Sequence, residues 1–184
     1  MIEREIKLLI EETEYKQCKQ QLDLITTPKE KLQINYYFES EDFALNKLGK
    51  TLRIRQIGTE LMLQYKYNKY REGVVNICEE YEKQLSKFQV AVCSTELPDS
   101  THENCDIYKY IGCLVTQRLD YSIGQTVISL DKNLYLGEQD FEIECEFPDF
   151  NAVKEAFRFL PLANANNKTC SKYKRFFQKY VGER

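Results

Sequence analysis

The sequence predicts an α+β fold in which about eight antiparallel strands close into a barrel, with charged faces turned inward and helices packed outside. Three observations predict it. First, Glu142, Glu144 and Glu146 take every second position of the run Phe-Glu-Ile-Glu-Cys-Glu-Phe at 141–147. Alternate side chains of a strand face opposite ways, so one face is all carboxylate and the other is Phe141, Ile143, Cys145 and Phe147. Like charges on one face repel and call for a cation opposite. Second, charge is sorted by strand: Arg53 and Arg55 share one run, Glu80 and Glu82 another. A solvated face mixes its polar residues, whereas sorted walls suit a closed cavity. Third, Gly58-Thr59 and Gly124-Gln125 are tight turns between neighbouring strand-like runs, as antiparallel hairpins need.

The elements follow in order. Residues 1–10 read as a strand, with Glu3, Glu5 and Lys7 on one face. Residues 11–25 read as a helix, with Tyr15, Cys18, Leu22 and Ile25 at helical spacing. A strand at 32–39 puts Asn35 and Tyr37 on one face, and a short helix at 41–47 ends at Gly49. Strands at 51–57, 60–68 and 74–83 come next. Helical pieces are expected at 86–92 and 102–113. Strands at 115–122, 126–132 and 140–147 complete the set, with Arg118 and Asp131 on the first two. Asn151 can cap a helix over 152–160, and Ser171 one over 172–181. In that last helix Lys172, Arg175 and Lys179 oppose Tyr173, Phe176, Phe177 and Tyr180. Cations favour a helix C-terminus. Lys172 and Arg175 at the start therefore answer to something outside the helix.

Composition narrows the function. The 184 residues suit a single domain spanning 1–184, and 42% hydrophobic content supplies a core. A net charge of -3 excludes a generic nucleic-acid binder. No apolar run reaches the ~18–20 residues of a membrane span, and the N-terminus lacks signal-peptide organisation. A cytoplasmic protein is expected, with its 7 cysteines as free thiols. A homodimer is left open. Cys78 and Cys145 fall in strands, and Cys18, Cys105 and Cys113 at helix-like positions. The single histidine, His102, lies in a polar stretch, so Ser–His or Cys–His catalysis has no support. There is no Walker-type loop and no GxGxxG, so any phosphate must be held by side chains.

The motifs together resemble a known family. Glu3-Arg-Glu-Ile-Lys7 is similar to the ExExK signature of CYTH domains, the triphosphate tunnel metalloenzymes. The likeness continues, in family order, through Thr51-Leu-Arg-Ile-Arg55, Leu63-Gln-Tyr-Lys66, Glu80-Tyr-Glu82, Thr116-Gln-Arg118, Leu130-Asp131 and Phe141-Glu-Ile-Glu-Cys-Glu146. It ends at Ser171-Lys-Tyr-Lys-Arg-Phe176. ExExK alone is a weak signal; the ordered set is specific.

The resemblance implies an eight-stranded antiparallel tunnel and Mg²⁺- or Mn²⁺-dependent chemistry on a small triphosphate. Inorganic triphosphatase activity is the first expectation, with nucleoside triphosphates as further substrates. A class IV-type adenylyl cyclase and a non-catalytic polyphosphate or nucleotide-binding module remain alternatives. Arg53, Arg55, Lys66, Arg118, Lys172 and Arg175 are the implied phosphate clamps, since guanidinium forks match phosphate oxygens. Glu3, Glu5, Glu80, Glu82, Asp131, Glu142, Glu144 and Glu146 are the implied metal set, oxygen donors suited to a hard cation. Lys7, with Glu3 and Glu5, is placed in the catalytic group. Cys78 and Thr116 stand where many members carry Arg and Lys.

Overall fold

The computed structural model describes residues 2–72, 75–98, 106–146, 160 and 170–182; for 2–5, 68–72, 75, 76 and 146 it describes the backbone alone. Among the described residues the strands are β1 (Ile2–Ile10), β2 (Lys29–Glu39), β3 (Thr51–Ile57), β4 (Glu60–Glu72), β5 (Val75–Leu85), β6 (Ala91–Cys93), β7 (Ile107–Ile123), β8 (Thr126–Tyr135) and β9 (Glu138–Glu146). The helices among the described residues are α1 (Glu12–Asp23), α2 (Ala44–Lys47) and α3 (Lys172–Gly182), with a 3-10 turn at Ser94–Glu96. The sheet runs β2-β3-β4-β5-β1-β9-β8-β7-β6, with every strand antiparallel to its neighbours, and β2 also pairs with β7. That last pairing runs from Lys29–Asp120 to Glu39–Lys109 and joins the ends of an eight-strand run into a ring. The short β6 lies on β7 beyond the end of β8.

All eight expected strands are present, and both hairpin turns fall where expected. The expected helix at 86–92 is not a helix, nor is the described part, 106–113, of the one expected at 102–113. Residues 91–93 form β6, and β7 begins at Ile107. The β7 run is rich in Tyr, Ile and Val, residues that suit a pleated surface. Its backbone is claimed along one edge by the long β2. Cys113 therefore lies in a strand. Cys93 is disulfide-bonded, so the expectation of seven free thiols fails there; cysteine count carries no Cα–Cα distance, which decides bridging. Cys18, Cys78, Cys113, Cys145 and Cys170 are free. Residues 152–159 of the helix expected at 152–160, His102 and Cys105 lie outside the described residues.

The strands bury both faces. On the outside, Ile6, Leu8, Ile10, Phe141, Ile143 and Cys145 pack with Cys18 and Leu22 of α1. Glu11 caps α1 in a reciprocal box with Glu14, which satisfies backbone donors that the helix leaves unpaired. A second outer cluster joins Phe38, Leu52, Ile54, Leu63 and Tyr65 to Leu45 of α2.

The C-terminal helix packs differently. Tyr173, Phe176 and Phe177 of α3 meet Tyr37 and Leu114, which share strand faces with the polar residues of the interior. Phe176 seats against Gly112, where an added Cβ would lie 2.7 Å from its Cζ. Gly112 also holds φ at +150°, which a side chain disfavours. Gly112→Ala should therefore displace α3 and cost ~1–3 kcal/mol, the usual penalty for overpacking a tight contact. Thermal melting of the purified variant checks this; an unchanged Tm would contradict the contact.

Candidate active site

The inner faces bring together most of the residues singled out by sequence. On β9, Glu142 and Glu144 are 0% and 4% exposed, although they are carboxylates in the middle of a fold. The apolar face of β9 packs under α1, so Glu142 and Glu144 point inward. Asp131 of β8 stands directly across from Glu142 and is also fully buried. Buried charge is tolerated only when paired, and the partners are present. Arg118 of β7 grips Asp131 in a two-point fork, Nε to Oδ1 at 2.8 Å and Nη2 to Oδ2 at 2.6 Å. The same Nη2 also donates to Glu144.

Lys172, the first residue of α3, reaches in from the end of the barrel. Its Nζ lies 2.8 Å from Asp131 and 3.2 Å from Glu142, and it also pairs with Glu144. Lys7 of β1 meets Glu144 at 3.1 Å. Arg175, one turn along α3, holds Asp140 at 2.8 Å and Glu142 at 2.5 Å, and donates to the Cys170 carbonyl at 2.7 Å. The odd placement of Lys172 and Arg175 in their helix is thus explained: both serve the acidic wall. Asp140 was not singled out from sequence. The signal was there, since it extends the even-numbered run 142, 144, 146 by one step.

A second wall is basic. Arg53 of β3 donates to Gln64 at 2.8 Å and approaches Glu80 at 3.6 Å, and Lys66 of β4 meets Glu80 at 3.3 Å. Arg55 donates Nε to Asn35 Oδ1 at 3.0 Å. Glu80 therefore belongs to the basic wall and not to the acidic cluster. Glu82 is exposed and accepts from Gln64. Thr116 bonds Asn133 at 2.7 Å, which in turn donates to Asp140 at 2.9 Å. Cys78 is buried on β5. For Glu3, Glu5 and Glu146 the backbone register alone is described: Glu3 pairs with Cys78, and Glu5 with Asn76 and Glu146. Their side chains lie outside the described set.

Electrostatics follow from the packing. Burial pushes the Glu144 carboxyl up, but Arg118, then Lys172 and Lys7, outweigh it and hold the group well below the usual carboxylate range. At Glu142 burial wins over Lys172 and Arg175, Glu144 adds repulsion, and the pKa is raised. As pH falls, Glu142 takes up a proton before Glu144. Burial works against the charge on Arg118, yet Glu144 and Asp131 hold it firmly protonated. Arg55 behaves oppositely: burial, then Arg53 and Arg118, bring it down to about 10.

The donor chemistry on the acidic side suits a hard divalent cation, since the converging groups of Asp131, Glu142 and Glu144 are all carboxylate oxygens. Among the described residues, no three Asp, Glu, His or Cys side chains form an open metal site. The point where the three carboxylates converge is filled by the Lys172 ammonium. Metal entry there requires that ammonium to swing aside. Together, a basic wall, an acidic wall and the Lys172 ammonium set into the acidic wall can bind a polyanion with its counter-ion.

Known proteins share this arrangement of elements. The Bacillus subtilis protein named "Putative triphosphatase YjbK" is 29% identical over 187 residues, covering 96% of this chain and 95% of its own. The solved "putative adenylate cyclase (bh2851) from bacillus halodurans" is 27% identical, with a TM-score of 0.71 over 95% of this chain and 97% of that one. The structure described as "Putative adenylyl cyclase HpAC1 from Hippeastrum reveals a dominant triphophatase activity" shares the fold, with a TM-score of 0.77 at 22% identity, covering 96% and 95%. Among the described residues, no helix is long and apolar enough to cross a membrane. The CYTH domain model matches residues 1–177, and the chain belongs to the CYTH domain family.

Proposed function

We propose that this chain is a cytoplasmic, Mg²⁺- or Mn²⁺-dependent triphosphatase that cleaves inorganic tripolyphosphate to pyrophosphate and phosphate, and nucleoside triphosphates as further substrates. The observation that carries the reading is the segregation of charge across one interior. Arg53, Arg55 and Lys66 line β3 and β4, while Asp131, Glu142 and Glu144 line β8 and β9. The similarity to the Bacillus subtilis protein named for triphosphatase activity supports the same reaction class.

A triphosphate carries roughly four negative charges near neutral pH, and these must be neutralised before a nucleophile can approach. Arg53, Arg55 and Lys66 would take the phosphate oxygens from one side. Arg118, already aligned by Asp131, would face the chain from the other. Asp131, Glu142 and Glu144, with Glu3, Glu5 and Glu146, would hold the divalent ion, which supplies charge neutralisation and an oriented water. Lys172 would exchange its carboxylate partners for phosphate oxygens once the acidic wall is neutralised. Arg175, anchored by Asp140 and the Cys170 carbonyl, would keep α3 seated. Lys7 would hold Glu144 in place or stabilise the leaving group. Glu80 and Glu82 would steady the basic wall.

The test is a matrix of metals against substrates, measuring phosphate release from tripolyphosphate, ATP and thiamine triphosphate. Activity is expected with Mg²⁺ or Mn²⁺ and none in excess chelator, and Ca²⁺, with its looser geometry, should inhibit. Full turnover in chelator would sink the reading. Cyclic nucleotide as the main product from ATP would favour the cyclase reading, which the name of the Bacillus halodurans relative keeps in view.

A further inference from the structure

We propose that Asn35 and Tyr37 bind phosphate: with Arg55 they form a donor-lined subsite for the terminal, unesterified phosphoryl group of a triphosphate. The inference rests on the triphosphatase reading and deepens it by saying which end of the substrate goes where.

Asn35 and Tyr37 lie two apart on β2, opposite Arg55 and Arg53 of β3. Both are 0% exposed. The Asn35 amide nitrogen and the Tyr37 hydroxyl make no hydrogen bond. Buried donors of this kind cost stability unless something accepts from them. The Asn35 oxygen is already used, since it accepts from Arg55 Nε at 3.0 Å. The amide is therefore turned so that its NH₂ is the group left to donate.

Arg55 points to an anion at the same place. Among the described residues it makes no ion pair, whereas Arg53, Arg118, Lys172 and Arg175 all do. It lies deep in the barrel but keeps part of its surface open. Burial and the neighbouring Arg53 and Arg118 work against its charge, so a bound anion would relieve it. The Tyr37 hydroxyl is pushed up by burial against the pull of Arg53, Lys172, Arg55 and Arg175. It is therefore a neutral donor in the field of four cations.

The donor set of the subsite selects its occupant. Tyr37 packs its ring at a tilt against Tyr173 at 5.1 Å and Phe176 at 5.0 Å, both from α3. These contacts fix the ring that carries the hydroxyl donor. Arg55, the Asn35 NH₂ and the Tyr37 hydroxyl each bring a donor, which suits a terminal phosphoryl group with three free oxygens. Inorganic tripolyphosphate and nucleoside triphosphates both present such an end. A triphosphate esterified at both ends does not.

Calorimetric titration in chelator-containing buffer tests this, with tripolyphosphate and diadenosine triphosphate as probes. The wild type should bind tripolyphosphate and not diadenosine triphosphate. Asn35→Asp keeps the shape but turns a donor into an anion, and Tyr37→Phe keeps the ring but loses the hydroxyl. Each should weaken tripolyphosphate binding by about 10-fold or more, the usual effect of losing a buried hydrogen bond to a charged group. In the wild type, the Asn35 side-chain NH₂ resonances should shift on titration, which keeps the test valid if a variant fails to fold. Unshifted resonances, folded variants that bind like wild type, or equal affinity for diadenosine triphosphate would overturn the subsite alone. A wild type that binds no tripolyphosphate would overturn the triphosphatase reading with it.

Discussion

Glu144→Gln is expected to lower turnover by at least about 100-fold, more than the loss of an outer-shell partner of a metal ligand usually costs. It should leave metal-free tripolyphosphate binding equal or stronger, because a negative charge is gone from the site. The same change should be costly for the fold. Glu144 neutralises Lys7, Arg118 and Lys172, and removing one partner of a buried ion pair costs ~3–5 kcal/mol. The sign with pH follows from its lowered pKa. A carboxyl held below its unfolded value stabilises the fold above that value, and the contribution is lost as pH falls through the folded pKa. Urea melts of wild type and Glu144→Gln should therefore converge as the buffer is taken well into the acid range. Glu142 has the opposite sign. Its raised pKa gives a contribution present below the unfolded value and lost as pH rises through the folded one. Glu142→Gln should thus cost less stability at pH 7 than Glu144→Gln. The reverse order would show that the two carboxyls have been assigned the wrong charges.

Joint replacement of Arg53 and Arg55 by alanine should abolish metal-free tripolyphosphate binding, a loss of about 100-fold or more for two charge-assisted contacts. Calorimetry without metal reads the effect directly, and turnover should fall with it. The fold should survive. Lys66 remains within 3.3 Å of Glu80 when Arg53 is gone, and the site disfavours the Arg55 charge already. Folded protein that binds tripolyphosphate as tightly as wild type would mean that the β3 arginines are structural and that phosphate lies elsewhere. The two sets of variants have opposite signatures: the arginine changes act without metal, and the glutamate changes act through it.

Much of this was legible in the chain because strand periodicity is a local property. The alternation of Phe141, Ile143 and Cys145 with Glu142 and Glu144 assigns opposite faces with no knowledge of the fold. It also implies that both faces are buried if the acids are to matter. The spacing of Cys18 and Leu22 on α1 marked an outer cover in the same way. Residues 107–113 fit helix and strand alike in sequence, as short apolar runs do, and they form a strand. β7 is a strand because the distant β2 pairs along its edge, a contact about 80 residues away in sequence that no local pattern encodes.

Which charges meet is a different kind of information. Sequence alone determined the ring of strands, the two faces of each, and the presence of basic and acidic sets. It grouped Glu80, Glu82, Asp131, Glu142 and Glu144 as one acidic set. Tertiary structure divided them, setting Glu80 against Arg53 and Lys66 and leaving Asp131, Glu142 and Glu144 to Arg118 and Lys172. It also brought Asp140 to Arg175 and left Arg55 without an ion pair among the described residues. The physical reason is that a side chain's face follows from the two-residue repeat of its own strand. Its partner depends on strand order, register and the seating of α3, and ion-pair energy changes over a few ångströms that only the closed ring specifies.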